Sequence, residues 1–451
     1  MGENRRFFRS KTRVIDMQNT HLKAHKDPQT LAQKLIAKSA GLERVGTEDI
    51  VTCKVDLAMF HDSSGPRRLK PMLESLGAKI WDTSKVVLVL DHYVPASDSQ
   101  STQIVQFTRD VAKEWRLPNV IDSQGICHVV LPERGHLKPG MLCVGGDSHS
   151  PTAGAFGTYT FGIGATEMLG VVVTGEIWVK VPQTLLMNWS GALHRGVCAK
   201  DMMLHMIARL GMNGGAYQAV EFAGPAVQKL SMQERMTLSN MSAELGAQVG
   251  LIAPDQVTIE YLKNTRNDLS EEWIKEALRH WHSDEGSQSQ LFEFNASNLS
   301  PHVAAPHSPE NSAPVESYGR ERFNVAYLGA CTGAKLEDLR AAAQVLKGRK
   351  VASGVKLLVA PASAREQRQA EEEGIMKCLI DAGATTLANS CGACAGYGFN
   401  FSELDRVISS TARNFKGRMG PASVDVFLAS PYTVAASAVR GELCDPREYL
   451  L

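Results

Sequence analysis

Three cysteines have the residue type and spacing of a metal centre. Cys391 and Cys394 form a C-x-x-C pair, so two thiols can reach one metal, and Cys331 stands between a predicted strand and a predicted helix. A C-x-x-C pair can also be a redox-active dithiol, and no second pair completes a four-cysteine zinc site. Iron–sulfur clusters normally take four cysteines, so three would leave one iron free to act as a Lewis acid on hydroxyl and carboxylate oxygens. From the cysteines alone, a metal centre and ordinary or redox-active thiols both stay open.

Acid–base residues follow two other predicted strands. Asp91 and His92 come directly after the apolar run 86–90, and Asp147 and His149 follow the run 141–144 and open a glycine-rich segment. A histidine can move a proton near neutral pH, and an adjacent carboxylate fixes its tautomer and raises its basicity. In open parallel sheets ligands collect outside the carboxyl ends of the strands, so these loops and the Cys331 loop can converge on one cleft. An isolated Asp–His dipeptide is otherwise typical of a plain turn at a strand end.

The elements that must position these residues alternate between strand and helix. Apolar runs predict strands at 85–90, 128–131, 323–328 and 355–359, and helical periodicity predicts helices at 30–40, 102–114, 200–210, 336–346 and 365–373. Strand followed by helix, repeated, indicates an α/β fold with a largely parallel sheet. The segment 283–320 is rich in Ser, Asn, Pro and His and indicates a long connection. We therefore place a boundary near residue 300, between regions 28–300 and 301–451, after an N-terminal tail of residues 1–27.

Length, charge and cysteine content exclude several classes of protein. The 451 residues are about three times a typical domain of ~150 residues, and 43% are hydrophobic, so a wholly disordered chain is excluded. The 48 basic side chains equal the 48 acidic ones, which disfavours a general nucleic-acid binder. Apolar runs are far shorter than the ~20 residues that span a bilayer, so we expect a soluble protein without membrane contact. Nine cysteines without a secretory signal indicate a reducing compartment, and we expect the cytoplasm. The basic first thirteen residues leave a mitochondrial transit segment as the alternative.

Five motifs carry a resemblance to a known family. In chain order they are GGDSHSPTAGAFG at 145–157, YLGACTGAKLEDLR at 327–340, CGAC at 391–394, RNFKGR at 413–418 and FLASPYTVAASAVRG at 427–441. Together they strongly resemble the aconitase superfamily, and within it the separate large subunits of isopropylmalate isomerase, homoaconitase and dimethylmaleate hydratase. The resemblance runs from about residue 28 to the end of the sequence.

The resemblance implies a fold, a reaction and a partner. The fold would be a three-subdomain α/β/α architecture with mainly parallel sheets and without the swivel domain of the family. The reaction would be the reversible dehydration or isomerisation of a hydroxy di- or tricarboxylic acid, of an isopropylmalate-, homoaconitate- or dimethylmalate-like kind. The family's carbon-proton base is a serine on the swivel domain, and this sequence stops after DPREYLL, where a separate large subunit would stop. A small swivel-domain subunit is therefore the expected partner, and the exact substrate stays open.

The resemblance also implies roles for individual residues. Cys331, Cys391 and Cys394 would hold a [4Fe–4S] cluster, with Asn240 beside it. The catalytic residues would be Asp91, His92, His128, Asp147, His149 and Glu244, and the substrate-binding residues His61, Ser148, Arg413 and Arg418. A guanidinium suits a substrate carboxylate because its planar fork binds both oxygens.

Three positions depart from the family pattern. Gly333 stands where the family usually carries Asn, Ala412 precedes Arg413 where another Asn is common, and Asn389-Ser390 replaces Pro-Gly before the C-x-x-C pair. Side-chain amides can donate hydrogen bonds to sulfur, and loss of such support costs ~10–100-fold in affinity or activity. An RNA-binding protein without a cluster and a non-catalytic scaffold therefore stay as alternatives, although the neutral charge and the complete cysteine trio disfavour RNA binding.

Overall fold

The structure, a computed structural model, describes residues 27–397 and 401–450 and confirms an α/β fold with mainly parallel sheets. The predicted N-terminal tail, except its last residue, lies outside the described residues. The domain boundary near residue 300 stays a prediction. Among the described residues, no helix is both long and apolar enough to cross a bilayer.

The strands and helices of the described residues are numbered in chain order. The strands are β1 (Ile50–Lys54), β2 (Leu57–His61), β3 (Val86–Leu90), β4 (Asn119–Asp122), β5 (Leu142–Gly145), β6 (Tyr159–Gly162), β7 (Glu176–Lys180), β8 (Thr184–Ser190), β9 (Ala219–Ala223), β10 (Val249–Leu251), β11 (Gln290–Asn295), β12 (His302–Ala304), β13 (Ser312–Pro314), β14 (Val325–Leu328), β15 (Lys356–Val359), β16 (Ala384–Thr386), β17 (Arg406–Ser409) and β18 (Asp425–Ala429). The helices are α1 (Leu31–Ala40), α2 (Pro66–Leu76), α3 (Ser99–Glu114), α4 (Cys127–Glu133), α5 (Ala165–Thr174), α6 (Ala199–Leu210), α7 (Pro225–Gln228), α8 (Met232–Met241), α9 (Gln256–Lys263), α10 (Glu271–His280), α11 (Leu336–Leu346), α12 (Ala364–Glu372), α13 (Ile375–Ala382) and α14 (Pro431–Arg440).

The first sheet has the strand order β4-β3-β2-β5-β6, and all its neighbours are parallel. All five residues of β3 are fully buried, which is typical of a central parallel strand covered by helices on both faces. Because β2, β3 and β5 are adjacent and parallel, their carboxyl ends meet at one edge. That edge carries the Asp–His motifs of the sequence.

Two further sheets complete the architecture, with a small antiparallel ribbon formed by β1 and β7. The second sheet, β10-β9-β8-β11, is parallel throughout. The third, β13-β12-β18-β17-β14-β15-β16, is parallel from β18 to β16 and ends in the antiparallel strands β12 and β13. The carboxyl ends of β14 and β17 carry the Cys331 loop and the RNFKGR motif.

Most predicted elements are confirmed, and two predictions are wrong. The run 128–131 lies inside helix α4 instead of a strand, because a short apolar run reads alike in a buried helix and a buried strand. The segment 283–320 contains strands β11, β12 and β13 instead of one long connection. Its strands are short or lie at sheet edges, where polar residues are tolerated, so the hydrophobic pattern was weak.

Direct backbone contacts join the first sheet to the third. Gly125 and Ser363 form an antiparallel bridge, and the Ile126 amide donates to the Ala362 carbonyl at 2.9 Å. Gly125 has φ +136°, and a Cβ there would lie 2.5 Å from the Ser363 Cα, so only glycine fits this approach. Next to the bridge, the Cys391 amide donates to the Asp91 carbonyl at 2.8 Å. The loops that carry acids and cysteines therefore face one another.

Candidate active site

Asp91 and His92 follow β3, and their side chains form a hydrogen bond. His92 Nδ1 lies 2.7 Å from Asp91 Oδ1, and the other Asp91 oxygen accepts the Cys127 amide at 2.7 Å. The fully buried Asp62 accepts the backbone amides of His92 and Tyr93. Burial disfavours the charged imidazole, but the Asp91 carboxylate and its hydrogen bond raise the pKa of His92 to about 9. The structure therefore favours a protonated His92 held in one orientation.

Asp147 lies at the centre of the histidines. Its Oδ1 is 2.7 Å from His128 Nε2 and accepts the His149 amide at 2.8 Å, while its Oδ2 is 3.5 Å from His61 Nε2 and 3.9 Å from His92 Nε2. The His61 and His92 rings stack with centroids 3.9 Å apart. Burial opposes ionisation of Asp147, but His128 and the other imidazoles hold its pKa well below its usual range. Asp147 is therefore held as an ionised carboxylate among several histidines.

The same acids and histidines are close enough to bind a metal ion. The ligand atoms of His128, Asp147 and His149 lie within 4.8 Å of one another, as do those of His61, Asp62, Asp91 and His92. The hydrogen bonds within both groups explain their closeness without an ion, since most of the buried polar atoms already have partners.

A second carboxylate links a histidine to an arginine. Glu244, just beyond α8, is fully buried, and its Oε1 lies 2.9 Å from His149 Nε2 and accepts a hydrogen bond from Arg413 Nε. A terminal nitrogen of Arg413 also donates to Ser148 Oγ at 2.8 Å. Burial raises the pKa of Glu244, but the charges of Arg413 and His149 outweigh it and lower the pKa to about 2. Arg413 and Ser148 are thereby fixed at the rim of the cleft.

The three cysteines are brought together from two loops of the third sheet. Cys331 follows β14, whereas Cys391 caps the start of a 3-10 turn after β16 and Cys394 lies within that turn. The Asn240 side-chain amide donates to Cys331 Sγ at 3.1 Å. The hydrogen bond from Cys391 and the charge of Arg418 lower the pKa of Cys394 to about 5, whereas burial and the charge of Cys394 raise that of Cys331 to about 12. The sulfurs are thus electrostatic neighbours, which a cluster with three thiolate ligands requires.

Unpaired polar atoms around the sulfurs fit an additional bound group. Asn240 Oδ1 and Arg418 Nε are buried and have no hydrogen-bond partner within the described ranges. A buried polar atom without a partner costs about 1–3 kcal/mol, so such atoms next to three thiols favour a site that normally holds something. Lys335 adds a cation, because its Nζ donates to the Cys331 carbonyl at 3.1 Å and to Asp338 at 2.7 Å. The donor set of thiols, amide and cations suits an anionic iron–sulfur cluster.

The departures from the family pattern have local explanations. A Cβ at Gly333 would lie 2.2 Å from Ser410 Oγ, and that hydroxyl donates to the carbonyls of Gly329 and Gly333. Ser410 therefore occupies the space that a side chain at 333 would need, while the amide donor to sulfur comes from Asn240. Asn389 donates to the Pro361 carbonyl at 3.0 Å instead of to a cysteine. Ala412 is buried.

Two buried residues near the cysteines were missed by the sequence reasoning. Lys200, at the start of α6, is 1% exposed, and its ammonium donates to the carbonyls of Ser410 and Thr411. Burial lowers the pKa of Lys200 to about 8. Asp62 was also missed, although its position directly after His61, at the end of β2, is the same strand-end signal that identified Asp91. For Lys200 no sequence signal existed, because a lysine in the first turn of a helix usually lies in solvent.

Five of the predicted site residues line a cavity of about 340 Å³. Its walls include His61, His92, Asp147, Ser148 and Arg418, together with Tyr397 from the loop after the C-x-x-C pair. His128, His149, Glu244 and Arg413 support this wall through the hydrogen bonds described above. A larger cavity of about 650 Å³ lies against the β1–β7 ribbon and contains none of the predicted residues, so volume alone does not mark the site.

Comparisons with known proteins give the family of the chain. A model of the aconitase family (aconitate hydratase) matches residues 33–325 and 316–441. The chain is 39% identical over 423 residues to "3-isopropylmalate dehydratase large subunit 1" of Archaeoglobus fulgidus and 38% identical over 427 residues to the protein of the same name from Methanopyrus kandleri. Each alignment covers 93% of this chain and 99% of the relative. Among solved structures, the holo-form of aconitase X from Thermococcus kodakaraensis matches with a TM-score of 0.47 and 11% identity, over 82% of this chain and 89% of that one.

Proposed function

The chain belongs to the aconitase family, and we propose that it is the large subunit of a [4Fe–4S] hydro-lyase acting on a hydroxy di- or tricarboxylic acid. The reaction is a reversible dehydration, or an isomerisation through loss and return of water. One observation carries the proposal: two histidines, a carboxylate and an arginine line one cavity, and that arginine also acts electrostatically on the thiol of Cys394.

Cys331, Cys391 and Cys394 would hold the cluster, with Asn240 and Lys335 supporting the Cys331 loop. When bound, such a cluster supplies a Lewis-acidic iron to the hydroxyl and carboxylate oxygens of the substrate. Arg418, which lowers the pKa of Cys394, also lines the cavity and so lies between the sulfurs and the substrate space.

The Asp–His pairs would manage the proton of the departing hydroxyl. His92 is held protonated by Asp91 and faces the cavity, so it is suited to donate a proton to the leaving oxygen. In the reverse reaction the same imidazole would take the proton back from the entering water, while Asp147, which shares a 2.7 Å hydrogen bond with His128, stays ionised beside it. A correctly placed acid or base contributes ~10²–10⁴ in rate.

Substrate carboxylates would bind the fixed guanidinium groups. Arg413 is oriented by Glu244 and by Ser148, and Arg418 presents a buried, unpaired Nε. A planar fork that is already oriented loses less rotational freedom when it binds a carboxylate. Together, the contacts of the two arginines with the substrate carboxylates would orient the substrate hydroxyl towards His92.

The carbon-proton base would come from a small swivel-domain subunit. The curated relatives carry the words "large subunit" in their names, which supports a two-subunit enzyme. We expect the cytoplasm as the compartment.

The proposal is tested by anaerobic reconstitution of the chain with its cognate small subunit and a panel of hydroxy acids, followed by alkene absorbance. We expect turnover of at least one acid by the complex and negligible turnover by the chain alone. Cys331→Ser, Cys391→Ser and Cys394→Ser should each lose cluster iron and acid-labile sulfide. Cys378→Ser is the matched control, because Cys378 lies on α13 and its thiol donates to the Ala343 carbonyl. Undiminished iron and sulfide in the trio variants, or no turnover by an iron-replete complex, would overturn the proposal.

A further inference from the structure

We infer that Arg68 binds a carboxylate at the end of the substrate's variable arm, so that the substrate is a hydroxy acid whose third arm is a short methylene chain ending in a carboxylate. This inference rests on the proposed function and narrows its substrate class. Neither the sequence motifs nor the names of the relatives assign a role to Arg68.

The cavity has two chemically different parts. One part is formed by His61, His92, Asp147 and Arg418, where the reacting centre would lie. The other part is formed by the start of α2 and the start of α5, which pack against each other. In this second part, Ile163, Ala165 and Met168 provide an apolar wall, and Arg68 is the charged side chain from α2.

Arg68 lines the cavity, and its guanidinium has no partner among the residues that the structure describes. It is exposed, and no carboxylate or carbonyl of the described residues forms a hydrogen bond or ion pair with its guanidinium. Arg413, by contrast, is held by Glu244 and by Ser148. The first turn of α2 has no acidic residue, and the nearby Glu167 of α5 is used to accept the Gly164 amide at 2.9 Å. The charge of Arg68 is therefore free for a ligand.

The neighbouring arginine has a different environment. Arg67 is equally exposed and belongs to the same helical turn, but its guanidinium lies 6.0 Å from the centroid of the Tyr93 ring and does not line the cavity. The two arginines differ in orientation and not in charge or helix position. Arg67 is thus a matched control for any general effect of positive charge at this end of the cleft.

An apolar wall with a guanidinium beyond it selects for a particular arm. Methylene groups would pack against Ile163 and Met168, and a terminal carboxylate would form a charge-assisted, bidentate pair with Arg68. A branched hydrocarbon arm would fill the apolar wall but would form no ion pair with the guanidinium of Arg68. The cavity of about 340 Å³ is at the small end of ligand pockets, so the arm is short.

The test measures binding of two unreactive acids to the cluster-reconstituted full chain by anaerobic calorimetry. Propane-1,2,3-tricarboxylate carries the third carboxylate, and methylsuccinate lacks it. We expect Arg68→Ala to weaken the tricarboxylate about 10-fold or more and to leave methylsuccinate unchanged, while Arg67→Ala changes neither. Arg68→Lys should recover part of the loss, because it keeps the charge but not the fork.

The outcomes separate this inference from the function on which it rests. Equal effects of Arg68→Ala on both acids, no effect on either, or the same loss in Arg67→Ala would overturn the role of Arg68 while the hydro-lyase proposal stands. Failure of the wild-type chain to bind either acid would overturn both. In the two-subunit enzyme, Arg68→Ala should raise KM for acids with a third carboxylate and leave kcat within about twofold, because Arg68 is remote from the bonds that break.

Discussion

Glu244 is a buried carboxylate that contacts both a histidine and an arginine, so its replacement should change the stability of the fold as well as any catalytic activity. The perturbation is Glu244→Gln, which keeps the shape of the side chain and removes its charge. In the wild type the carboxylate contacts His149 and Arg413, and its own side chain is fully buried. The variant leaves the guanidinium of Arg413, whose side chain is only 17% exposed, without its anion.

The magnitude follows from the pKa of Glu244, which is lowered from 4.5 to about 2. The shift is 4.5 − 2, about 2.5 units, and each unit corresponds to 1.36 kcal/mol, so ionised Glu244 stabilises the fold by about 3 kcal/mol. That value lies within the ~3–5 kcal/mol expected when one partner of a buried pair is removed. Because the pKa is lower in the folded state, the contribution is complete above pH 4.5 and is lost as the pH falls towards 2.

The assay is urea unfolding of the cluster-free full chain, followed by tryptophan fluorescence at pH 7 and at pH 3.5. We expect Glu244→Gln to reduce the free energy of unfolding by about 3 kcal/mol at pH 7 and by clearly less at pH 3.5. Glu260→Gln is the control, since Glu260 is an exposed residue of α9 whose carboxylate contacts Gln256. The double variant Glu244→Gln/Arg413→Gln should lose less than the sum of the single losses.

The reasoning is refuted if Glu244→Gln and Glu260→Gln are equally stable at pH 7, or if the loss in Glu244→Gln is the same at both pH values. Additive losses in the double variant would also contradict the direct contact between Glu244 and Arg413. A pH-independent loss would mean that side-chain packing, and not charge, holds this part of the cleft.

Two further predictions concern positions outside the reacting groups. Gly333→Ala should destabilise the fold by about 1–3 kcal/mol, because the new Cβ would meet Ser410, and a second substitution, Ser410→Gly, should partly restore stability. The control in the same urea assay is Gly319→Ala, since Gly319 has open space around it. Equal losses of stability at positions 333 and 319 would contradict the steric argument. Burial and the neighbouring Glu366 carboxylate raise the pKa of Glu133 from 4.5 to about 8, so the wild type should lose stability as the pH rises between these values. Glu133→Gln should therefore raise the melting temperature relative to wild type at pH 8 and not at pH 5 in differential scanning fluorimetry, and an equal offset at both pH values would count against the shift.

The sequence predicted those parts of the site that depend on strand ends. Asp91 and Asp147 were identified because a parallel sheet brings the ends of its strands to one edge, and the structure places them within one network of histidines. The three cysteines were identified by type and order, and the structure makes them electrostatic neighbours.

Other features of the site depend on contacts that no local pattern encodes. His128 was placed in a strand, because four apolar residues in a row do not distinguish a buried helix from a buried strand. Position 333 is a glycine because Ser410, which is distant in sequence, occupies the space that a larger side chain would need. Arg68 resembled any solvated arginine in the first turn of a helix, and its significance comes from the wall that α5 builds beside it.

The distribution of the cleft over separate strand ends has a consequence for the order of events on the ribosome. Asp91, Asp147 and their imidazoles belong to the first sheet and leave the exit tunnel early, whereas Cys391, Cys394, Arg413 and Arg418 come from the last part of the chain to be translated. Until that part emerges, the acids are next to histidines but not to sulfur or guanidinium. Insertion of the proposed cluster would therefore have to follow the synthesis of residues 391–418, because a shorter nascent chain would carry the acids and histidines without these cysteines and arginines.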